Sequence, residues 1–222
     1  MSVPVDRIIR SKRRTVALIV ENDGSVTVRA PMRMPEISIL EFVEKHVNWV
    51  EKKKTEMRAA APVLAKQYLP GEIFLYLGKE YPLEVAPGQH TKLILDDHFK
   101  IAESALGEAE IVFQYWYRQQ AKQLIVERVR HFAEIHQLHY EKITITSART
   151  RWGSCSPKNG LSFSWRLIMT PMEVVDYVVV HELAHTVHHN HSNRFWGLVE
   201  KILPDSKERR KWLHQHGQQV LL

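Results

Sequence analysis

Between Thr170 and His185 the chain carries the segment that most restricts how it can fold. Thr170, Pro171 and Glu173 read as an N-cap, a first helical residue and the far member of a capping box, so a helix is expected to start there. At about 100° per residue, Val175, Val179, Val180, Leu183, Ala184 and Val187 cover most of its circumference. Val174, Val178, His181, Glu182 and His185 fill the remaining stripe. A helix apolar nearly all round is a buried one, and its polar residues need a partner other than bulk water. A metal ion is such a partner.

Residues four apart on a helix share a face and lie about 6 Å apart along the axis, so His181 and His185 can aim ring nitrogens at one ion over bonds of about 2.0–2.1 Å. Glu182, turned about 100° from His181, can reach a metal-bound water without being a ligand, which makes it the candidate general base. For a third ligand the sequence offers His188, His189 and His191. On a continued helix the first two would lie about 10–12 Å beyond His181, so the helix is expected to end before them. Asn190 is expected to take a left-handed turn, Ser192 to cap the next helix, and His191 to swing back to the metal. The resulting His-Glu-x-x-His-x5-His spacing equals that of the metzincins, with His188 where their motif has its turn glycine. Glu200, on a helix expected from Asn193 to Leu203, is the alternative third ligand. His189 is a candidate to orient substrate.

The rest of the chain reads as α+β. Apolar and polar residues alternate from Arg14 to Ala30 around Asn22-Asp23-Gly24, a hairpin pattern. Ile39, Phe42, Val43, Val47, Trp49 and Val50 then recur at helical spacing in one helix that runs from Ser38 into the charged stretch Glu51 to Arg58. After a connector from Ala59 to Pro70, three strands are expected at Ile73–Leu77, Tyr81–Ala86 and Lys92–Ile101. A long amphipathic helix should span Glu108 to Gln137, with Ile111, Tyr115, Ala121, Ile125, Val129, Phe132 and Ile135 as its apolar pattern. Ile143–Ala148 and Leu161–Trp165 read as strands flanking a loop, in which Gly153 is expected to serve a tight turn. Trp152 and Trp165 read as packing residues.

The 31 Lys and Arg residues against 25 Asp and Glu give a formal charge of +6, a mild excess suited to anionic partners. Arg149, Arg151 and Arg166 form one of two basic clusters and are candidates to bind substrate or stabilise a transition state. The lone Cys155, the lack of a secretory leader pattern and the absence of a long apolar run point to a cytoplasmic protein that does not cross a membrane. Several chemistries are compatible with these residues. The same metal and base could hydrolyse a peptide bond or, with the arginines on phosphate oxygens, a nucleotide triphosphate or other phosphoanhydride. Against the latter stand the missing Gly-rich phosphate loop and the nitrogen ligand set, since phosphoryl chemistry favours oxygen-ligated magnesium. A non-enzymatic protein that docks nucleic acid and keeps a structural metal has no use for Glu182, because structural zinc is closed by four protein ligands. Cys155 as a nucleophile is a further alternative.

Four runs occur in order: Arg149-Thr-Arg-Trp-Gly-Ser-Cys-Ser156, Leu161-Ser-Phe-Ser-Trp-Arg-Leu167, Tyr177-Val-Val-Val-His-Glu-Leu-Ala-His185, and Asn190-His-Ser with Phe195-Trp196. Together they resemble the YgjP-like metallopeptidase family, which is related to the SprT and WLM zincins. The similarity extends to Arg10-Ser-Lys-Arg-Arg-Thr15 and Tyr76-Leu-Gly-Lys-Glu-Tyr81. The resemblance implies one divalent metal, usually zinc, on His181, His185 and His191, with Glu182 as base; it does not settle the substrate, a peptide or protein being expected first and an anionic nucleotide second. It also implies an α+β fold whose C-terminal part is the catalytic core; by the pattern of elements, residues 1–107 are expected to be an α+β region, mostly antiparallel with helices, and 108–222 a zincin-like helical catalytic region with a small sheet, the two forming one compact unit.

Overall fold

The computed structural model describes residues 4–21, 24–59 and 66–217, and side chains of 56–59 are not described. The fold is α+β, and its contacts separate a unit of residues 1–63 from one of residues 64–222.

In the first unit β1 (Arg7–Ser11), β2 (Ala17–Val20) and β3 (Val26–Pro31) form a sheet in the order β1-β3-β2. β2 and β3 are the expected hairpin, paired antiparallel from Ala17 opposite Arg29 to Val20 opposite Val26, while β1 joins β3 in parallel. The turn residues Asn22 and Asp23 lie outside the described residues. Strand periodicity sends Val26, Val28 and Ala30 into a core completed by Ile39, Val43 and Val50. The single helix expected from Ser38 is two, α1 (Glu36–Glu44) and α2 (Val47–Ala59). At the break His46 Nδ1 meets the Phe42 carbonyl at 2.7 Å. Apolar periodicity runs across this break because Val43, Val47 and Val50 face the same core, so pattern alone does not mark it.

The second unit begins with β4 (Ile73–Tyr76), β5 (Lys79–Ala86), β6 (Leu93–Leu95) and β7 (Phe99–Ala102), ordered β4-β5-β7-β6. The third expected strand is thus a hairpin, folded at Asp96-Asp97-His98. There the Asp96 carboxylate accepts the His98 N–H at 3.1 Å and pairs with Lys100 at 2.9 Å. A 3-10 turn, Glu103–Glu108, leads into α3 (Ala109–His136), which ends on Gln137 in the left-handed conformation. Ile111, Tyr115 and Ile135, expected on its buried face, are exposed. The buried residues are Ala109, Val112, Phe113, Tyr117, Ala121, Ile125, Val129, Phe132 and Ala133, a stripe joined mainly by steps of four. Steps of four residues advance about 40° more than a full turn, so this stripe winds around the helix and no fixed face describes it.

Phe74, Phe99, Phe113 and Tyr117 join the sheet to α3, and Tyr117 stacks on Trp165 at 5.8 Å. The Tyr117 hydroxyl also donates to the Leu75 carbonyl at 2.6 Å. The division expected at 107/108 therefore falls inside this unit, through a shared aromatic core.

Beyond α3, β8 (Lys142–Thr146), β9 (Gly153–Cys155) and β10 (Gly160–Ser164) form a mixed sheet in the order β8-β10-β9. A 3-10 turn, Trp165–Met169, carries the chain into α4 (Met172–Ala184), followed by α5 (Asn193–Ile202) and α6 (Ser206–His216). The capping box at Thr170 does not form. Pro171 is the N-cap, and the Thr170 hydroxyl donates to the Leu167 carbonyl at 2.8 Å, closing the preceding turn instead. Arg128 of α3 grips Asp176 of α4 through two hydrogen bonds of 2.6 and 2.9 Å. Among the described residues no helix is long and apolar enough to cross a membrane.

Candidate metal centre

Valines pin α4 into the core: Val174, Val175, Val178, Val179 and Val180 are all buried, as are Leu183 and Ala184. This fixes His181 and His185 one turn apart at the end of the helix, with His185 as its C-cap. The chain turns at once, through hydrogen bonds from Val187 and His188 to the Ala184 carbonyl at 3.1 and 2.9 Å. These helical-type bonds tighten the end of the helix, and the chain then bends at His189 and Asn190, the latter not in the left-handed conformation expected of it. Ser192 is the N-cap of α5, although its hydroxyl makes no capping bond.

The turn returns His191 to the helix. Its Nε2 lies 3.2 Å from Nε2 of His185 and 3.1 Å from Nε2 of His181. Ligand nitrogens on a tetrahedral ion with bonds of about 2.0–2.1 Å are about 3.3–3.4 Å apart, so the cluster has the dimensions of a three-imidazole metal site. Its protonation fits as well. Burial, reinforced by neighbouring His185 and His191, pushes the pKa of His181 down to about 3, and burial also lowers that of His185. Neutral imidazoles are the form that binds metal. His185 Nδ1 is 3.0 Å from the His188 carbonyl and donates to it, which leaves the Nε2 lone pair for an ion. Among the described residues His181 Nδ1 is buried without a hydrogen-bond partner, so on that side the ring is held by packing.

The packing comes from α5. Phe195, fully buried, has its ring centroid 4.9, 4.4 and 4.9 Å from those of His181, His185 and His191, a common floor for all three. Trp196 stacks on His191 at 5.5 Å, and the Arg210 guanidinium lies 4.6 Å above the Trp196 ring. Sequence reasoning assigned no role to these residues, although Phe195-Trp196 at helical spacing after His191 was the available signal. Glu200 is not in the cluster; its carboxylate pairs with Lys207 at 2.9 Å. His189 is exposed and is not one of the imidazole group.

Glu182 is buried and outside the imidazole group. Burial raises its pKa to about 7, partly opposed by the positive charge of Arg151. The three candidate arginines separate here. Arg151 alone acts on Glu182, whereas Arg166 is buried over the Trp165 ring at 4.2 Å and donates to the Ser147 carbonyl at 3.1 Å. Arg149 and Arg118 are neighbours of Arg166, and Arg118 bonds the Ser147 hydroxyl. Cys155 is half-buried, with a thiol pKa raised by burial and by Glu182, opposite to what a nucleophile needs. Gly153 serves no turn; it opens β9 and pairs with Phe163.

Three imidazoles at the end of a buried helix and in the turn after it, with a buried carboxylate adjacent in sequence to the first, define a candidate metal-dependent hydrolase centre. The sequence model of the family described as YgjP-like, metallopeptidase domain, matches residues 14–216, and the chain belongs to that family. No curated protein and no solved structure matches it significantly. Membership supports a metal-binding hydrolase of the peptidase class and implies a divalent metal, usually zinc, and a peptide substrate.

Proposed function

We propose that the chain is a zinc peptidase in which His181, His185 and His191 hold one ion and Glu182 is the general base. The observation that carries this reading is the convergence of three Nε2 atoms at the end of a buried helix, where Glu182, the residue after His181, is buried and is not one of the group. Three protein ligands leave a coordination position open, which a catalytic site needs and a structural one does not. When bound, the metal supplies Lewis acidity, polarising a carbonyl and acidifying water. Glu182 takes the proton from the attacking water and returns it to the leaving amine. A carboxylate held at a pKa of about 7 suits both transfers near neutral pH.

The strand beside the base supports a peptide as substrate. β9 is the edge of its sheet, and the bonds Ser156 N–H to Gly160 and Ser164 N–H to Trp152 fix its pairing with β10. By the alternation of antiparallel ladders, the main-chain groups of Gly153 and Cys155 then face away from β10. An extended substrate can pair with them as an added strand. The phosphoanhydride reading drew its support from arginines acting together. Arg166, stacked on Trp165, no longer adds to it.

The test compares wild type with Glu182→Gln on unfolded protein substrates and on nucleotide triphosphates. We expect peptide cleavage that falls about 100- to 10,000-fold in the variant while one metal per chain is retained. Activity that survives the substitution, or hydrolysis confined to the triphosphates, would refute the proposal.

A further inference from the structure

The carboxylate arm of Glu182 lies where the side chain of residue 153 would be. A Cβ built on Gly153 would stand 2.6 Å from Glu182 Cγ, 2.6 Å from Oε1 and 2.9 Å from Cδ. These separations are far inside van der Waals contact, so no residue other than glycine fits unless Glu182 moves. Backbone conformation is not the reason for the glycine. Gly153 is absent from the glycines with positive φ, and it sits in regular antiparallel register opposite Phe163. Neither partner is free to retreat. The Trp152 carbonyl accepts the Ser164 N–H at 2.8 Å at the entry to β9, and Glu182 is 6% exposed on a helix packed by Val178, Val179 and Leu183.

We infer that Gly153 is a positioning residue for the reaction: its missing side chain is the slot that seats Glu182 against β9. The inference rests on Glu182 being the base, as proposed above, but its packing core can be measured separately. In a Gly153→Ala variant the added methyl displaces the carboxylate arm and leaves His181, His185 and His191 in place. Metal stoichiometry should stay at wild-type level, kcat should fall at least tenfold, and KM should change little, because the defect lies in the proton-transferring group.

Stability of metal-free protein gives a readout independent of turnover, through a double-mutant cycle of Gly153→Ala and Glu182→Ala. Overpacking in the wild-type background should lower the unfolding midpoint by roughly 2–10 °C. In the Glu182→Ala background, where the arm is gone, the same change should cost less than half of that. If Gly153→Ala alone does not fold but the double variant does, the inference is supported in its strongest form. Equal costs in both backgrounds, failure of both to fold, or an unchanged kcat would overturn it. Coupled costs together with a fully active Glu182→Gln enzyme would instead overturn the assignment of the base.

Discussion

His181, His185 and His191 stand on an aromatic floor supplied by α5, whereas Glu182, adjacent in sequence to the first of them, lies against bare main chain of β9. On the proposed assignment, the ligand side uses bulk, and the base side uses the lack of it. The difference matches two tasks. Imidazoles must keep lone pairs aimed at one point, which ring packing and the His188 carbonyl achieve. A base must be buried enough for its pKa to lie near neutrality yet lie beside a strand that can receive substrate, so its support has to be thin.

The contrast can be broken most severely on the ligand side. His191→Ala removes the one ligand that is not on α4, and metal content should fall from one ion per chain to near zero, with activity down by at least about a thousandfold. Metal analysis after dialysis checks this, and full retention would require another third ligand. Phe195→Ala takes away the floor and leaves every ligand in place. It should cost about 3–5 kcal/mol of stability, measured by denaturant titration, and weaken metal affinity by roughly 10- to 100-fold. Undiminished affinity would mean that the imidazoles hold one another without α5.

The smallest effect sharpens the base side. Between its ordinary 4.5 and about 7 in the fold, Glu182 keeps a proton that the unfolded chain has lost. Its contribution to the stability of metal-free protein therefore falls as pH rises through that window, by on the order of 3 kcal/mol. His181 works in the opposite sense. With its pKa lowered from 6.5 to about 3, it adds stability as pH rises from about 3 to 6.5. Glu182→Gln removes only the first contribution, so the stability advantage of the variant over wild type should grow from pH 4.5 to 7. Parallel curves in chelator-treated samples would show that Glu182 is not shifted.

What could be read from the sequence follows how local each feature is. His181, Glu182 and His185 share one helical stripe, and His191 follows from the need to stop that helix, so the cluster was legible from spacing. The manner of stopping was not, because Asn190 suits a left-handed turn by residue type while the chain in fact tightens through bonds to the Ala184 carbonyl and bends at His189 and Asn190 without a left-handed residue. Gly-Ser-Cys at 153–155 is too short and too small to display strand alternation, and the fit of Gly153 to Glu182 joins residues 29 positions apart. In α3 the winding buried stripe defeats any reading that assumes one fixed face. The hairpin, the long helix and the α+β class rest on stronger periodicity and are found as expected, apart from the residues not described.

Because one ring, Phe195, touches all three imidazoles, occupancy of the centre and docking of α5 are linked equilibria. Whatever factor the docked helix adds to metal affinity, the metal must return as added stability of the docked helix. A chelator is then a conformational reagent as well as an inhibitor: it should loosen α5 first, and amide exchange along Asn193–Ile202 should rise before the valine-packed body of α4 responds.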